Sequence, residues 1–537
     1  KTAYEIGVRL VGSEMCIRDR DNIMATTGHN SGNKLVVRLH PSDNVVTARL
    51  DILGNTSIDG EQISSLGSIP SGHKLATKKI KAGEEIRKYD QVIGFASCDI
   101  NLGEHVHVHN VEMRDFDRDY QFCEGVTDTN YFPVSEQRMF EGFKRKNGKV
   151  GTRNYIGVLT SVNCSATAAK YIASAVSPEL LREYPNVDGV VALTHSTGCG
   201  MADSGDGYAN LQRVLWGFAQ HPNFAGIVMV GLGCEVNQID FLLDAYGLER
   251  GPKFQTMTLQ DTGGTRKTIA HGLGLIKEML PEAGRAKREP VSVAELTLAL
   301  QCGGSDAYSG MTANPALGAA ATLLVRHGGT AVLAETPEIY GAEHLLTRRA
   351  ISMEVGEKLV ERIQWWENYC ERNGGEMNNN PSPGNKAGGL TTILEKSLGA
   401  AAKGGLTNLC GVYNYAERID TKGFVFMDSP GYDPCSITGQ VASGSNIVTF
   451  TTGRGSCYGC KPAPSLKLAT NTSMFNRMEE DMDINCGEVL DEDLSIDEMG
   501  ERIFEKIIRT ASGEQTKSEE LGIGDNEFVP WQIGATM

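Results

Sequence analysis

Seven apolar runs of strand length in this chain end in glycine-rich turns that carry side chains able to bind metals, anions or protons. YIGVLTSV leads to Asn163 and Cys164, GVVALT to His195 and Gly198-Cys199-Gly200, and GIVMV to Gly231-Leu232-Gly233-Cys234-Glu235. Further on, LTLAL leads to Gln301-Cys302-Gly303-Gly304-Ser305-Asp306, TAVLA to Glu335 and Glu338, GFVFM to Asp428, and NIVTFT to Thr452-Gly453-Arg454-Gly455. Open parallel sheets bind ligands outside the carboxyl ends of their strands, so these seven junctions predict a polar, thiol-containing rim.

Asp306, Glu335 and Glu338 would converge if their strands are neighbours, and their oxygens suit hard or borderline divalent ions. The alternative is that Asp306 and Glu338 cap the helices that follow. Cys199, Cys234 and Cys302 could ligate iron or a cluster, although their spacing matches no ferredoxin or zinc pattern; otherwise they are small residues at close-packed turns. Arg454 could hold an acid through a bidentate guanidinium, and Arg153 in Gly151-Thr152-Arg153-Asn154 offers a second such site, unless both are plain surface arginines. The loop NPSPGNKAGG puts Lys386, beside Asn385, among backbone amides before a helix, a setting for anion binding or for an amine that moves protons.

In GEHVHVHN, His105, His107 and His109 alternate with valine, so a strand there would carry three imidazoles on one face. Such a face could bind a transition metal or relay protons, or it could simply be solvated. His40 and His73 add polar groups to the same segment. Cys457-x-x-Cys460 lacks the second pair that zinc needs and the context of a redox motif. Gly231-x-Gly233 lacks the third glycine of a dinucleotide fingerprint and there is no Walker lysine, so a nucleotide cofactor is not expected.

The elements that must position these groups follow from the pattern of apolar runs. Short alternating runs broken by Gly, Asn and Pro predict a small all-β domain over 31–112. Residues 113–147 read as a polar linker. Strand and helix signals alternate over 148–288, predicting a middle α/β domain, and again over 289–537, predicting a second parallel-sheet domain whose longest helix runs from about 342 to 373. Residues 1–30 read as an appended, disordered extension: the chain does not begin with Met, and Met24 opens the next polar run.

Of 537 residues, 62 are glycine, roughly 12% against the usual 7%, consistent with many tight turns. Lys and Arg number 51 against 67 Asp and Glu, a net charge of −16, which argues against nucleic acid or an anionic membrane as the main partner. No apolar run spans a bilayer, and thirteen cysteines without a secretory signal point to a reducing, cytoplasmic setting.

The strings GTRNYIGVLTSVNC, THSTGCG, GLGCEVNQ, QCGGSDAYSGMTANPALG, ETPEIYGAEHLL, NPSPGNKAGGLTTILEKSLG, FTTGRGSCYG and ATNTSMFNRMEEDMDINCG together resemble the altronate/galactarate dehydratase family of sugar-acid lyases. That resemblance implies an N-terminal SAF (β-clip) domain, a middle domain involved in homodimerisation and a C-terminal Rossmann-like domain with a metal site. GEHVHVHN and PEIYGAEHLL look like the altronate dehydratase branch; Ser456-Cys457 departs from the Thr-Pro usual beside Arg454.

The reaction so implied is dehydration of D-altronate to 2-dehydro-3-deoxy-D-gluconate in hexuronate catabolism. Galactarate dehydration or sulfolactate desulfonation are the alternatives. Ferrous iron or manganese would be held by Asp306, Glu335 and Glu338, and Arg454, Arg153, Asn385 and Ser305 would bind substrate. His195 or Lys386 would act as base and His107 as acid, with no redox cofactor.

Overall fold

The computed structural model describes residues 35–114 and 118–537; the expected extension at 1–30 lies outside them. Near the N-terminus, strands β1 (Val36–Val37), β2 (Val45–Ala48), β3 (Lys74–Ala76) and β4 (His105–Val106) form an antiparallel sheet in that order. Their inward residues, among them Val45, Val46, Leu75 and Val106, are almost wholly buried.

The middle sheet holds β5 (Tyr155–Thr160), β6 (Gly189–Leu193), β7 (Phe224–Gly231) and β8 (Phe254–Thr258), all parallel, in the order β6-β5-β7-β8. Helix α1 (Ala166–Ser174) covers one face together with α2 (Thr265–Arg285). The segment expected as a linker is partly ordered into the fold, because Met139–Lys144 pairs antiparallel with Glu289–Ser292.

The largest sheet is parallel throughout: β9 (Thr297–Cys302), β10 (Thr330–Leu333), β11 (Leu409–Tyr413), β12 (Gly423–Met427), β13 (Ile447–Thr452), β14 (Ser465–Ala469) and β15 (Ile484–Asn485). Their order is β11-β12-β10-β9-β13-β14-β15. Helices on both sides keep the strands dry, which is why they read as continuous apolar runs. Helix α3 (Ala313–Arg326) packs against α4 (Ile496–Ala511), whose Ser495–Glu498 capping box satisfies its first amides. The long helix starts later than the sequence suggested. Thr336–Ile339 and His344–Thr347 are short separate turns, and the helix runs over Met353–Arg372 after Ser352 caps it.

Candidate active site at the edge of the seven-stranded sheet

The carboxyl ends of β9, β10, β13 and β14 meet at one edge, and the N-terminal domain is docked over it. Backbone meets backbone there. Gly389, at φ +99, sits so close that a Cβ would lie 2.3 Å from the Gly72 carbonyl oxygen. His73 approaches the Ala387 carbonyl at 3.3 Å, the Lys74 ammonium donates to the Gly389 carbonyl at 2.6 Å, and Ser71 Oγ lies 2.6 Å from the Tyr308 hydroxyl.

Beneath this contact lies a fully buried ion triplet. Both oxygens of Glu395 accept from Lys74, at 3.0 and 2.9 Å, and Oε1 accepts from Lys88 at 3.0 Å. Burial works against the Glu395 charge, yet the two ammoniums hold its carboxyl well below the ordinary range. Burial, opposed by Glu395, lowers the Lys74 amine to about 8.

Above the edge, His73, His105 and His107 bring one ring nitrogen each to within 4.8 Å of the others. The expected ladder of His105, His107 and His109 on one strand does not form. Strand β4 stops at Val106 because Asn110 closes a turn, accepting from the His107 amide at 2.9 Å and donating to the His105 carbonyl at 2.9 Å. His73 enters through the pairing of β3 with β4, in which Leu75 faces His105. His109 is exposed with its ring 5.2 Å from that of His105, and His40 sits apart with Ser42 and Asp90.

The triad suits a borderline divalent ion. A carbonyl only accepts, so His73 Nε2 carries its proton toward Ala387 and leaves the Nδ1 lone pair facing His105 Nε2 at 3.0 Å. His107 Nδ1 is buried without a hydrogen-bond partner. Burial, aided by neighbouring positive charge, lowers His105 to about 4 and His107 to about 3, so both rings are neutral at pH 7. His107 therefore carries no spare proton, which counts against its expected role as the acid.

The three carboxylates expected as a metal set are not brought together. Asp306 is buried and accepts from Ser309 (amide 2.9 Å, hydroxyl 3.0 Å), from Thr470 at 3.0 and 3.1 Å and from Asn471 at 3.1 Å; it closes a local turn with Ser309 and does not cap the helix that follows, whose N-cap position is Thr312. Glu335 and Glu338 gather instead with Cys302. Lys396 contacts Glu338 at 2.6 Å, and Lys403 contacts the Cys302 sulfur at 2.7 Å and Glu335 at 3.7 Å. Two ammoniums already balance the two glutamates, so an added cation would be repelled and the group fits a metal poorly. Burial, reinforced by Glu338, pushes Glu335 up, while Lys396 and Lys403 overcome burial at Glu338 and hold it down. Asp433, raised first by burial and then by Glu338 to about 7, borders the same cluster.

The side of the rim that carries Arg454 is open. Arg454 is exposed; its amide is held by the Gly304 carbonyl at 2.8 Å, and its side chain crosses Gly388, where a Cβ would stand 3.2 Å from Arg454 Cδ. Lys386, half-buried, belongs to the short helix Pro383–Ala387 on the same rim. Asn385 braces the rim, because its oxygen accepts from the Ser382 amide at 2.9 Å and its amide donates to the Ser305 carbonyl at 2.8 Å. Ser305 Oγ is buried without a partner.

Two expected site residues lie elsewhere. Arg153 is buried, with its guanidinium bound to Glu519 (2.6 and 2.8 Å) and to the carbonyls of Thr152, Thr510 and Glu514, so it has no donor left for a substrate. His195 closes the middle sheet: Nε2–H reaches the Thr160 carbonyl at 2.9 Å and Nδ1 accepts from the Thr197 amide at 3.3 Å, leaving no free lone pair for a base. Cys199 and Cys234 are exposed at that second sheet edge. Sequence reasoning missed Lys74, Lys88, Glu395, Lys396, Lys403 and Asp433. The available signal was charge inside a helix of small and apolar residues, as in ILEKSLGAA.

Comparison with known proteins gives three family matches: the altronate/galactarate dehydratase SAF domain over 34–114, the D-galactarate dehydratase/altronate hydrolase second domain over 142–284, and the D-galactarate/altronate dehydratase C-terminal domain over 293–536. An altronate dehydratase of Bacillus subtilis is 35% identical over 94% of this chain and 100% of its own. A galactarate dehydratase (L-threo-forming) of Escherichia coli is 37% identical over 91% and 95%. The (2R)-sulfolactate sulfo-lyase subunit beta of Chromohalobacter salexigens is 32% identical over 73% and 97%.

Proposed function

Because the chain belongs to the D-galactarate/altronate dehydratase family, a family of sugar-acid hydro-lyases, we propose that it dehydrates an aldonate, D-altronate foremost, to 2-dehydro-3-deoxy-D-gluconate. The observation that carries this reading is the neutral imidazole triad of one domain set over an edge of the next that offers an open guanidinium and an amine. His73, His105 and His107 would hold a divalent ion, ferrous iron or manganese, which would supply positive charge beside an acid whose carbon 2 is deprotonated.

The chain's own groups do the rest. Arg454 takes the substrate carboxylate in its fork. Ser305 Oγ meets a hydroxyl that would otherwise leave it unpaired. Lys386 Nζ accepts the carbon-2 proton and returns it to the hydroxyl departing from carbon 3, so water leaves, the enol ketonises and no electrons are exchanged. The docked N-terminal domain excludes solvent and strengthens each polar contact.

We place the reaction in the cytoplasm of a cell that degrades hexuronates, catalysed by a homodimer joined through the middle domain. Among the described residues no helix is long and apolar enough to cross a membrane. Native mass spectrometry tests the dimer. The reaction is tested by offering altronate, galactarate, related aldonates and sulfolactate to anaerobic, metal-loaded protein. A keto-deoxy acid from altronate supports the proposal; the same product from galactarate alone moves the substrate, and sulfite from sulfolactate alone moves the reaction.

A further inference from the structure

Three exposed free thiols stand at the carboxyl edge of the middle sheet, where the dehydration scheme uses nothing. Cys164 follows β5, Cys199 follows β6 and Cys234 follows β7, and these strands are adjacent. Their loops are tied into one frame. The Asn163 amide donates to the Thr197 carbonyl at 2.9 Å and its side chain to the His195 carbonyl at 3.1 Å. The Asn237 amide donates to the Gly198 carbonyl at 3.0 Å and its side chain to the Ser161 carbonyl at 3.0 Å.

Gly198 has φ +103, and a Cβ there would lie 2.4 Å from the Ser161 carbonyl, so the Cys199 turn rests directly on the chain leading to Cys164. The buried Glu235 carboxylate fixes the Cys234 turn by accepting from Ser161 Oγ (2.6 Å), the Gly233 amide (2.6 Å) and the Leu232 amide (3.2 Å). The Met537 amide closes on the Gly200 carbonyl at 2.8 Å. Gln260 Nε2 donates to Cys234 Sγ at 3.3 Å.

Spacing selects the ligand. A single tetrahedral ion with bonds of about 2.3 Å needs thiolates within about 4 Å of one another. Among the described residues, the groups of three with ligand atoms inside 4.8 Å are the imidazole triad and the Cys302 group, and these three thiols are not one of them. A polynuclear cluster seats each thiolate on a different iron and so spreads them wider, and an amide pointed at a ligating sulfur is a device that tunes such clusters.

We propose that Cys164, Cys199 and Cys234 hold an iron–sulfur cluster of the four-iron type, with one iron left open to an exogenous ligand. Loading from a thiol-ligated donor cluster is ligand exchange. Three iron–thiolate bonds to the donor's thiols break, three form to the cysteines, the cysteine protons pass to the released thiolates, and no oxidation state changes. The inference stands on the middle domain's own residues and does not depend on the substrate assigned above.

The test offers a synthetic four-iron cluster carrying mercaptoethanol ligands to the full chain under anaerobic conditions, followed by desalting and assay of iron, acid-labile sulfide and thiol alkylation. The expected result is about four irons and four sulfides per chain, falling by half or more in Cys164→Ser, Cys199→Ser and Cys234→Ser and unchanged in Cys98→Ser and Cys457→Ser. In the loaded wild type the three cysteines resist alkylation while exposed Cys98 and Cys457 react, a readout that holds even where a variant folds poorly. Iron bound without sulfide, no iron bound, or a full cluster in the triple serine variant overturns the proposal.

Discussion

Replacing Glu395 by glutamine leaves two buried ammoniums facing each other without a counter-charge. In the wild type each lies 2.9–3.0 Å from a Glu395 oxygen, with side chains at most 1% exposed. At an effective dielectric of about 20, each contact is roughly 5–6 kcal/mol of attraction before desolvation, and breaking such a buried arrangement costs about 3–5 kcal/mol net. Lys74→Met is the informative control. It leaves Glu395 and Lys88 as a neutral pair and orphans only the Gly389 carbonyl, at about 1–3 kcal/mol. For a domain of about 150–250 residues, each kcal/mol moves Tm by about 2–4 °C. Glu395→Gln should therefore lower the midpoint of the affected transition by roughly 6–20 °C, and at the middle of both ranges by about 4–8 °C more than Lys74→Met. Differential scanning calorimetry of metal-free protein at two scan rates reads this while exposing irreversibility. A Glu395→Gln midpoint within about 2 °C of wild type, or a Lys74→Met protein that is equally damaged, refutes the electrostatic account of domain docking.

Arg454→Ala should raise KM for the sugar acid by roughly 10–150-fold, the worth of a charge-assisted contact, with Tm unchanged because the side chain is exposed. Arg153→Ala should do the opposite, lowering stability by about 3–5 kcal/mol in an unfolding assay while leaving KM of the folded fraction alone. Burial lowers the folded values of His105, His195 and His344 to about 4. The unfolded chain thus binds more protons between about pH 6.5 and 4, and stability must fall as pH falls through that window, which Tm against pH will show. Of the triad, His105 and His107 stay neutral down to about pH 4 and 3, so their protonation should not weaken manganese binding between pH 7 and 5 and should lower it tenfold per unit per ring only below those values, measurable by electron paramagnetic resonance.

Most strands of both parallel sheets were legible because a strand buried on both faces is a plain apolar run. LTLAL, TAVLA, GFVFM and NIVTFT all became strands. Phe254–Thr258 and Leu409–Tyr413 were missed, since FQTMT is half polar and LCGVY is interrupted by glycine; their neighbours make them strands. At the site, local chemistry was readable and convergence was not. Asp306 with Ser309 three residues on is a local turn pattern, whereas His73 joins His105 only through a strand register about thirty residues apart. The pairing of Lys396 with Glu338 and of Lys403 with Cys302 depends on how helices sit over strand ends, which periodicity does not encode. The histidine ladder failed because Asn110, not the His-Val alternation, decides where the strand ends.

The central claim is that sugar-acid dehydration runs at the docked edge under the imidazole triad. Its most direct test measures keto-deoxy acid formed from D-altronate by manganese-loaded wild type and by a His105→Ala/His107→Ala variant, each checked for fold by circular dichroism. The account predicts turnover by the wild type and none above background by the variant, with manganese affinity reduced by more than the roughly 10–100-fold typical of losing an outer-shell partner. Undiminished turnover by the variant would contradict it and move the chemistry away from this edge.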